Sequence, residues 1–576
     1  MERWMIYQKK ADFYKIAEHF HIDPVIARIM RNRDLASMEE MEKYLHGSRR
    51  DLYNPHLLKD GDRLVDILQD KIKEGKSIRV IGDYDIDGVM SSYILVDVLR
   101  RLKANVSAQI PDRMKDGYGL NMSLIEKAVE EGVDTIVTCD NGIAALEEIA
   151  YAKEQGLTVL VTDHHEIPKG DNLADAIVNP HQKDCAYPFK MLCGAGVAFK
   201  VMELLLERMN RREEIYDYLE YVAFATVGDV MDLVDENRIL VKEGLKNIHE
   251  TKNLGMKCLI EACALEQGNI DAYHFGFVLG PCINASGRLD TAKRALELFF
   301  QTDEQRARRI ASELVELNRE RKLLTQCGID EAKRQYQELG YENQRVLVIF
   351  LPEIHESVAG IVAGRIRECY GKPTIILTNG EDCVKGSGRS IEAYSMYEEL
   401  QKVEDLFLKY GGHPMAAGLS METQKVDELR KRLNENCTLT EEELEPVVHI
   451  DVAMPPEYVT EELLAQFSLL APFGKGNPKP VFAERGIRIK KFWIVGKNQN
   501  VMRLSLLTER QSVVNGIYFG DIEGFLNDLS ERFGVEEVEK ARKGQENRIQ
   551  LSVVYYPSLN TYQGVSTMQY EIQRYQ

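Results

Sequence analysis

Asp83-Tyr84-Asp85-Ile86-Asp87-Gly88-Val89 places three carboxylates in the turn between an apolar segment and a helical one. Residues 77–81, directly before this run, have the length and β-branched content of a buried strand. After it, Ile94, Val98 and Leu102 recur at helical spacing. Carboxylates a few ångströms apart repel and raise each other's pKa, a cost that a hard cation such as Mg²⁺ or Mn²⁺ removes. The run therefore predicts a metal-binding turn at the end of a strand.

The same arrangement recurs twice further along the chain. Residues 135–139 form an apolar segment that ends in Asp140-Asn141-Gly142, and residues 158–162 form one that ends in Asp163-His164-His165. Strands separated by helical segments indicate a parallel sheet, in which ligands bind beyond the carboxyl ends of the strands. Asp229, which closes a further apolar run, is a fourth candidate. Each aspartate alone is also a typical helix N-cap, but the whole set, with two adjacent histidines, indicates a metal site.

These motifs carry a resemblance to a known family. The Asp-x-Asp-x-Asp pattern at 83–87, Asp140, Asp163-His164-His165 and Asp229 are similar to the four motifs of the DHH phosphoesterase superfamily. Gly411-Gly412-His413-Pro414-Met415-Ala416-Ala417-Gly418 resembles the glycine-rich motif of the DHHA1 substrate-binding domain that accompanies it. The resemblance is strongest to the bacterial members that degrade single-stranded DNA in the 5′→3′ direction during DNA repair and recombination.

The resemblance implies a multidomain α/β fold. A parallel-sheet DHH domain is joined by a long helix to a smaller α/β DHHA1 domain, and a C-terminal OB-type β-barrel follows. Residues 301–339 have the pattern of one long helix, and the tail has the short apolar runs typical of a barrel. The expected divisions are an N-terminal segment (1–50), the DHH domain (51–245), a helical connector (246–340), the DHHA1 domain (341–440) and the OB-fold nucleic-acid-binding domain (441–576).

The activity that the resemblance implies is phosphodiester hydrolysis with two Mn²⁺ or Mg²⁺ ions, which lie roughly 3.5–4 Å apart in such sites. The implied ligands are Asp85, Asp140 and, as a third, Asp83 for one ion, and Asp87, Asp140, His164 and Asp229 for the other. Asp140 would bridge the two ions, and a water activated by them would attack phosphorus. His165 would orient, protonate or stabilise charge on the phosphate. Asp163 would either bind metal or orient His164.

Four side chains are expected to bind the end of the strand in a pocket between the domains: Arg113, Arg288, Ser387 and Arg389. Arg113 lies in the loop 111–120, whose alternative interpretation is a solvated turn. Arg288 lies in the segment 284–289, which is expected to be irregular and to face the cleft. A cleft too narrow for duplex DNA would impose selectivity for single strands.

Two glycine clusters, 385–390 and 411–418, are candidates for phosphate binding. Glycines let backbone N–H groups approach an anion, and Ser387 and Arg389 can add charge-assisted hydrogen bonds. The substrate-binding residues expected in the second cluster are Gly411, Gly412 and His413. The alternative is that both clusters are tight hairpin turns.

A third run of small residues, 193–198, opens a helix. It either cradles a phosphate or lets two helices pack closely. No Lys-Ser/Thr pair completes a P-loop here, which favours close packing.

The tail contains a basic stretch in which aromatic residues are interleaved. The expected nucleic-acid-binding residues are Arg488, Lys490, Lys491, Trp493, Lys497 and Arg503. Cations among aromatics suit a single strand, whose bases stack while its phosphates are neutralised. The alternative is a solvated sheet face with one core aromatic.

Bulk properties bound the function without deciding it. A chain of 576 residues has room for several domains. Its net charge of −19 does not exclude nucleic acid, because a metal site must itself be acidic. Ten cysteines without any Cys-x-x-Cys pair, and a beginning without an apolar core, predict a cytoplasmic protein with no membrane partner. The expected partners are single-stranded DNA and, from the family alone, a single-stranded-DNA-binding protein and a recombination helicase.

Two other functions stay open at this point. A DHH phosphodiesterase of short oligoribonucleotides or cyclic dinucleotides, or a related pyrophosphatase, would use the same metal motifs but would leave the last 130 residues without a purpose. A non-catalytic replication scaffold of the same fold would hold DNA without cutting it. Such a scaffold would be expected to lack metal carboxylates, all of which are present.

Overall fold

The structure is a computed structural model that describes residues 2–112, 119–496, 499–562 and 565–576. Arg113 and Lys497 lie outside the described residues. The chain divides into two compact units, one of residues 48–446 and one that combines residues 1–47 with 447–576. The finer division into five parts stays a prediction. Within the described part of the chain, no helix combines the length and apolar character that a membrane span requires.

The first residues form a strand and three short helices. These elements are β1 (Arg3–Ile6), α1 (Phe13–Phe20), α2 (Pro24–Asn32) and α3 (Met38–His46). Ser37 and Glu40 form a reciprocal capping box that starts α3. Sequence patterns did not indicate how this segment is used.

The larger unit begins with a parallel α/β domain. Its strands are β2 (Ser77–Ile81), β3 (Asn105–Gln109), β4 (Thr135–Cys139), β5 (Thr158–Thr162) and β6 (Ala176–Val178). Its helices are α4 (Gly61–Lys73), α5 (Ile86–Arg101), α6 (Met122–Glu130), α7 (Leu146–Glu154), α8 (Gly194–Arg208), α9 (Leu219–Gly228) and α10 (Asp235–Ile248).

All neighbouring strands of this sheet are parallel, in the order β3-β2-β4-β5-β6. Alternate residues of each strand enter different cores: Val137 and Leu160 pack with α5 and α8, whereas Ile136 and Val159 pack with α6 and α7. Burial on both faces explains why the strands are continuous apolar runs in the sequence. The predicted parallel sheet is confirmed, and its carboxyl edge carries the acidic motifs.

A helical region follows the sheet domain. It contains α11 (Leu254–Ala262), α12 (Ala272–His274), a π-helical turn (Phe275–Leu279), α13 (Gly280–Leu289), α14 (Ala292–Phe299) and the 35-residue α15 (Glu304–Glu338). The long helix is confirmed. The expectation that 284–289 is irregular is wrong, because these residues form the last turns of α13, where packing of Ile283 and Ala285 outweighs the low helix propensity of Gly287.

A second sheet completes the larger unit. Its elements are β7 (Leu347–Phe350), α16 (Glu356–Tyr370), β8 (Thr374–Asn379), β9 (Val384–Arg389), α17 (Met396–Gln401), β10 (Phe407–His413), β11 (Ala416–Met421), α18 (Val426–Asn436) and α19 (Glu441–Leu444). The strand order is β10-β11-β9-β8-β7. The first glycine cluster lies mostly within β9 and is not a hairpin turn, whereas the second spans the β10–β11 hairpin.

The smaller unit is built on a closed barrel. Its elements are β12 (Val447–Ile450), β13 (Val452–Ala453), α20 (Glu461–Gln466), β14 (Phe482–Val495), β15 (Val501–Leu507), β16 (Val513–Tyr518), α21 (Ile522–Phe533), α22 (Val535–Lys543), β17 (Gln550–Tyr562) and β18 (Val565–Tyr575). The strand order is β13-β14-β15-β16-β18-β17, and pairing of β14 with β17 closes the barrel. The predicted OB-type barrel is confirmed.

The N-terminal segment is part of this unit. Strand β1 pairs in parallel with β12, and Ile26 and Met30 of α2 share one apolar core with Phe482 of the barrel. The buried Asn32 side chain donates to Asp451 Oδ1 at 3.1 Å, and Arg33 forms an ion pair with the same carboxylate. Residues 1–47 therefore stabilise the barrel.

Candidate active site

The first acidic turn joins β2 to α5. The Asp85 carboxylate caps α5 by accepting the backbone N–H groups of Asp87 and Gly88, at 3.0 and 3.1 Å. A Cβ at Gly88 would lie 2.4 Å from the Asp83 carbonyl oxygen, so only glycine allows the turn to close this tightly. The turn therefore holds the three carboxylates of Asp83, Asp85 and Asp87 in a fixed arrangement at the sheet edge.

The second acidic turn follows β4. Asp140 is buried and has a φ of 60°, a left-handed conformation that is uncommon for a residue other than glycine. Its neighbour Asn141 ties this turn to the first, because the Asn141 amide donates to the carbonyl oxygens of Ile81 and Cys139 at 3.1 and 2.8 Å. A strained backbone held by its surroundings is typical of functional sites.

The third turn follows β5, and Asp163 organises it. One Asp163 oxygen accepts the backbone N–H groups of His164 and His165 at 2.7 and 3.1 Å, and lies 2.8 Å from His165 Nδ1. The other oxygen accepts the N–H of Ile143 at 2.9 Å. Asp163 therefore contacts the ring of His165, whereas the sequence had left open a metal ligand or a residue that orients His164.

This pairing sets the charge of His165. Burial lowers the pKa of its ring, but the hydrogen bond and the charge of Asp163 outweigh that effect and raise the pKa to about 9. The bonds from His165 and from backbone N–H groups hold the pKa of Asp163 below its usual value, in spite of burial. The contact with Asp163 therefore favours the protonated form of the His165 ring.

His164 is where the four motifs converge. Its Nε2 atom lies 3.1 Å from Asp140 Oδ1, 3.6 Å from Asp87 Oδ2 and 3.9 Å from Asp229 Oδ2. Asp229 comes from the C-terminal end of helix α9 and not from a strand end. Burial lowers the pKa of His164, so the neutral imidazole that a metal requires is favoured.

Three groups of these side chains bring their ligand atoms within 4.8 Å of one another: Asp83 with Asp85 and Asp140, Asp87 with His164 and Asp229, and Asp140 with both histidines. Burial, and then the charges of neighbouring aspartates, raise the pKa of Asp85 and raise that of Asp140 well above its usual value. Buried carboxylates that repel one another are the donor set that hard divalent cations prefer. The residues present therefore fit two Mn²⁺ or Mg²⁺ ions.

The small-residue run 193–198 forms the start of helix α8. The backbone N–H groups of Gly194 and Ala195 donate to the two oxygens of Asp87 at 2.6 and 2.7 Å. A Cβ at Gly194 would lie 2.6 Å from the Cβ of Asp140. The run therefore packs closely, as the sequence favoured, and its N-terminal amides hold a metal-site carboxylate in place of a phosphate.

A cavity of about 500 Å³ brings together distant parts of the larger unit. Among its lining residues are four of the predicted substrate-binding residues, namely Arg288, Ser387, Arg389 and Gly411. Arg288 donates to the carbonyl oxygen of Ser357 at 2.8 Å, and Arg389 donates to that of Gly388 at 2.7 Å. Gly411, which pairs with Gly418, leaves open space above its backbone, since a Cβ there would meet no atom within 4 Å. The lining holds four cationic side chains, those of Arg288, Lys385, Arg389 and Lys409, against the single carboxylate of Glu356, which suits an anionic ligand.

The other two predicted residues of the glycine cluster are outside the lining of this cavity. Gly412 has a φ of 150°, and a Cβ there would lie 2.4 Å from the carbonyl oxygen of Ala416. His413 is exposed at the end of β10. Gly412 therefore serves the hairpin, which is the structural alternative that the sequence left open.

The sequence did not reveal two residues that help to position this cavity. A Cβ at Gly360 of α16 would lie 2.8 Å from both Arg389 Nη2 and Ser387 Oγ, so this glycine makes room for them. Asn284 of α13 accepts the N–H of Ile86 at 2.8 Å, which joins the helix of Arg288 to the first acidic turn. A glycine inside the helical pattern of residues 357–370 was the signal available for Gly360.

The basic stretch of the tail forms one face of the barrel. Arg488, Lys490, Lys491 and Arg503 are exposed, and Trp493 is 40% exposed, whereas Phe492 is buried in the core. An irregularity between Ile489 and Lys491 turns both lysines outward, as bulges do. Trp493 lies opposite Arg503 on the neighbouring strand. Cations and an exposed indole therefore share one surface.

Known proteins share both the domains and the fold. Residues 77–226 match the DHH family N-terminal domain, residues 343–438 the DHHA1 domain and residues 450–574 the RecJ OB domain. The single-stranded-DNA-specific exonuclease RecJ of Bacillus subtilis (strain 168) is 36% identical over 514 residues, which cover 88% of this chain and 64% of that relative, less than two thirds of its length.

Two further matches cover more of the related chain. RecJ of Salmonella typhimurium is 35% identical over 500 residues, which cover 83% of this chain and 85% of the relative. The crystal structure of RecJ in complex with Mn²⁺ from Thermus thermophilus has a TM-score of 0.83 and 27% identity, and covers 100% of this chain and 79% of that chain. Family models match the parallel-sheet domain, the domain of the second sheet and the barrel, and a relative that is 35% identical is covered over 85% of its length. This chain therefore belongs to the RecJ family.

Proposed function

We propose that this chain is a Mn²⁺- or Mg²⁺-dependent exonuclease that hydrolyses single-stranded DNA from the 5′ end. One observation carries the proposal: helix α13 connects the acidic cluster to the arginine-lined cavity. Asn284 of this helix contacts the Asp85–Asp87 turn through the N–H of Ile86, and Arg288, one turn later, lines the cavity with Ser387 and Arg389. We therefore expect a strand whose terminal phosphate is bound in the cavity to bring its first internal phosphodiester to the acidic cluster.

The roles of the acidic residues follow from their positions. Asp83, Asp85 and Asp140 would hold one ion, and Asp87, Asp140, His164 and Asp229 the other, with Asp140 common to both. Bound divalent ions supply charge neutralisation for the phosphate and a lowered pKa for water. The tight turns at Gly88 and Asp140 keep the ligand atoms in place, so no reorganisation is needed when substrate binds.

His165 and Asp163 act as a pair. Asp163 holds the ring of His165 and keeps it protonated, with a pKa of about 9. A cationic His165 beside Asp140 can donate a hydrogen bond to a phosphate oxygen and stabilise the charge that develops there. Asp163 itself, whose oxygens already accept four hydrogen bonds, is a positioning residue for His165.

The barrel favours long single strands over short substrates. Its exposed Trp493, together with the flanking cations, offers stacking and phosphate contacts that suit several successive nucleotides of a single strand. A phosphodiesterase of short oligoribonucleotides or cyclic dinucleotides needs no such face. The full set of aspartates argues against a non-catalytic scaffold.

The proposal extends to the cellular setting. A role in DNA repair and recombination, a cytoplasmic location, and contacts with a single-stranded-DNA-binding protein and a recombination helicase are supported by the family resemblance. Affinity capture of the full chain with each purified partner would test the protein contacts, and absence of binding at physiological salt would remove them from the proposal.

The decisive experiment is digestion of end-labelled DNA in the presence of Mn²⁺. A single strand labelled at the 5′ end should release labelled mononucleotide from the start of the reaction, whereas a 3′ label should stay in shortening fragments. Blunt duplex DNA should persist. Early release of a 3′ label, internal cuts in a circular strand, or equal attack on duplex DNA would contradict the proposal.

A further inference from the structure

A continuous helical stretch runs from residue 272 to residue 289, through α12, the π-helical turn and α13. Its core side includes Phe275, Leu279 and Ile283, which are buried. Its other side carries Tyr273, Phe277, Asn284 and Arg288, which are exposed or half-buried. π-helical turns are rare and occur frequently at functional sites. Two members of this face, Asn284 and Arg288, already belong to the site described above.

The other two members form an aromatic surface that faces solvent. Tyr273 is 60% exposed and Phe277 is 63% exposed. Their rings are stacked, with centroids 5.1 Å apart and planes inclined by 24°. Scattered apolar residues are normal on a protein surface, but two large stacked rings make one contiguous apolar patch, and contiguous apolar patches are common at binding sites.

Glycines of the same stretch contact the elements that carry the acidic cluster. A Cβ on Gly276 would lie 3.4 Å from Val227 Cγ1, in the helix end that leads to Asp229. A Cβ on Gly280 would lie 3.4 Å from Ile86 Cδ1, and Gly287 approaches the carbonyl oxygen of Tyr84 closely. The helix therefore passes along the first acidic turn, with the aromatic pair at one end and Arg288 at the other.

We propose that Tyr273 and Phe277 form a base-stacking platform for single-stranded DNA, on the opposite side of the acidic cluster from the strand-end cavity. This inference rests on the proposed function, since it takes the strand to be held by its 5′ end near Arg288. The platform binds nucleobases on the 3′ side of the bond that is cleaved. Every base has a π-face, so stacking supplies affinity without sequence preference.

The spacing along the helix gives the number of nucleotides involved. Eleven residues separate Phe277 from Arg288, which at 1.5 Å per residue is about 16 Å. A stacked strand advances about 3.4 Å per nucleotide, so the platform meets about the fifth nucleotide, or an earlier one when the strand is extended. A dinucleotide held in the cavity therefore ends before the platform, and a longer strand covers it.

The test compares short and long substrates in the full chain with Mn²⁺. The double variant Tyr273→Ala, Phe277→Ala should raise KM about tenfold or more for a 5′-phosphorylated strand of about ten nucleotides, and leave KM and kcat for a dinucleotide unchanged. The aromatic swap Tyr273→Phe, Phe277→Tyr should keep wild-type KM on both. Leu323→Ala, which removes another exposed apolar side chain (61% exposed) from helix α15, is the matched control and should change neither.

A spectroscopic readout tests stacking directly. In a cleavage-resistant phosphorothioate strand, 2-aminopurine at about the fourth to sixth nucleotide should lose fluorescence on binding wild type, and should lose less on binding the double-alanine variant. Equal quenching by both proteins overturns the inference, and a protein partner then becomes the better occupant of the patch. A KM increase that is equal for dinucleotide and long strand also overturns it, because displacement of the Arg288 helix would explain both. A wild type that cleaves neither substrate overturns the proposed function itself.

Discussion

The proposed function assigns DNA contacts to both the acidic cluster of the larger unit and the basic face of the barrel, but the two regions are built in different ways. In the acidic cluster the carboxylates of Asp85, Asp87 and Asp163 each accept at least two backbone N–H groups. On the barrel face, Lys490 and Trp493 project from a strand into solvent. Metal binding in the first region depends on fixed positions of the carboxylates. DNA binding by the second region depends on charge and on an exposed aromatic ring.

This difference predicts how much substitution each region tolerates. Metal ligation fails when a carboxylate moves by a fraction of an ångström, because the ions require defined distances. Phosphate neutralisation and base stacking tolerate small displacements, because charge acts over several ångströms and every base can stack. Substitutions in the acidic cluster should therefore have large effects on hydrolysis, and substitutions on the barrel face should have graded effects on affinity.

The largest expected effect comes from Asp140→Ala. Because this carboxylate is proposed to bind both ions, its removal should lower turnover in Mn²⁺ by at least about a thousandfold, which corresponds to roughly 4 kcal/mol of activation free energy. Asp171→Ala removes an exposed carboxylate after the third motif and should have no effect. Turnover by Asp140→Ala within a few-fold of wild type would show that the two regions do not differ in the way described.

Gly194→Ala tests whether backbone position matters as much as the ligands themselves. The new Cβ would lie 2.6 Å from the Asp140 Cβ, which must move. We expect Mn²⁺ affinity, measured by electron paramagnetic resonance of the free ion, to fall by about 100-fold, the upper range for groups that orient ligands. Gly196→Ala is the matched control, since its Cβ meets only the Leu192 side chain at 3.3 Å. Similar metal affinity in both variants would refute the role of this helix end.

Arg389→Ala tests the strand-end cavity. We expect the effect of this substitution to be smaller than effects in the acidic cluster and larger than effects on the barrel face. A terminal phosphate carries an extra charge, and a charge-assisted hydrogen bond contributes about 1.5–3 kcal/mol. The variant should therefore lose about tenfold more kcat/KM on a 5′-phosphorylated strand than on a strand with a 5′-hydroxyl. Arg365→Ala, an exposed arginine of α16, should treat both strands as wild type does. Equal losses on the two strands would indicate that Arg389 contacts an internal phosphate.

The smallest effects are expected on the barrel face. Trp493→Ala should weaken binding of a cleavage-resistant single strand by about fivefold to tenfold, within the range for one stacked base. Lys490→Ala should reduce the slope of log affinity against log salt by about 0.7, the value for one phosphate of a single strand. Lys10→Ala, an exposed lysine of the same unit, should leave the slope unchanged. Wild-type affinity and slope in both barrel variants would mean that this face does not hold DNA.

Point variants test the barrel better than truncation does. Removal of the residues after Asn436 would also remove the partners of Ile26 and Met30, whose apolar side chains share the barrel core. A truncated chain would therefore expose part of the N-terminal segment, and any loss of binding would have two causes. Single substitutions on the outer face leave that core intact.

The sequence by itself determined the parallel sheet, the acidic motifs at its carboxyl edge, the long helix and the barrel. These features are local: the proposed ligands Asp83, Asp140 and His164 each lie one or two residues after the end of a short apolar strand, and the strand period and turn residues appear within a few positions. The basic stretch around Trp493 was also visible. Its exposure was not, because a bulge decides which side chains of β14 face outward.

Only the tertiary structure decided the remaining features. Each of these features joins residues that are far apart in the chain. The amides of Gly194 and Ala195 bind Asp87, and Gly360 leaves space for the side chain of Arg389. Residues 1–47 pack with the barrel. The helical state of 284–289 and the exposure of Tyr273 and Phe277 depend on the same kind of contact. Local propensity carries no information about such partners, because their free energy comes from packing and hydrogen bonds that exist only once the chain has folded.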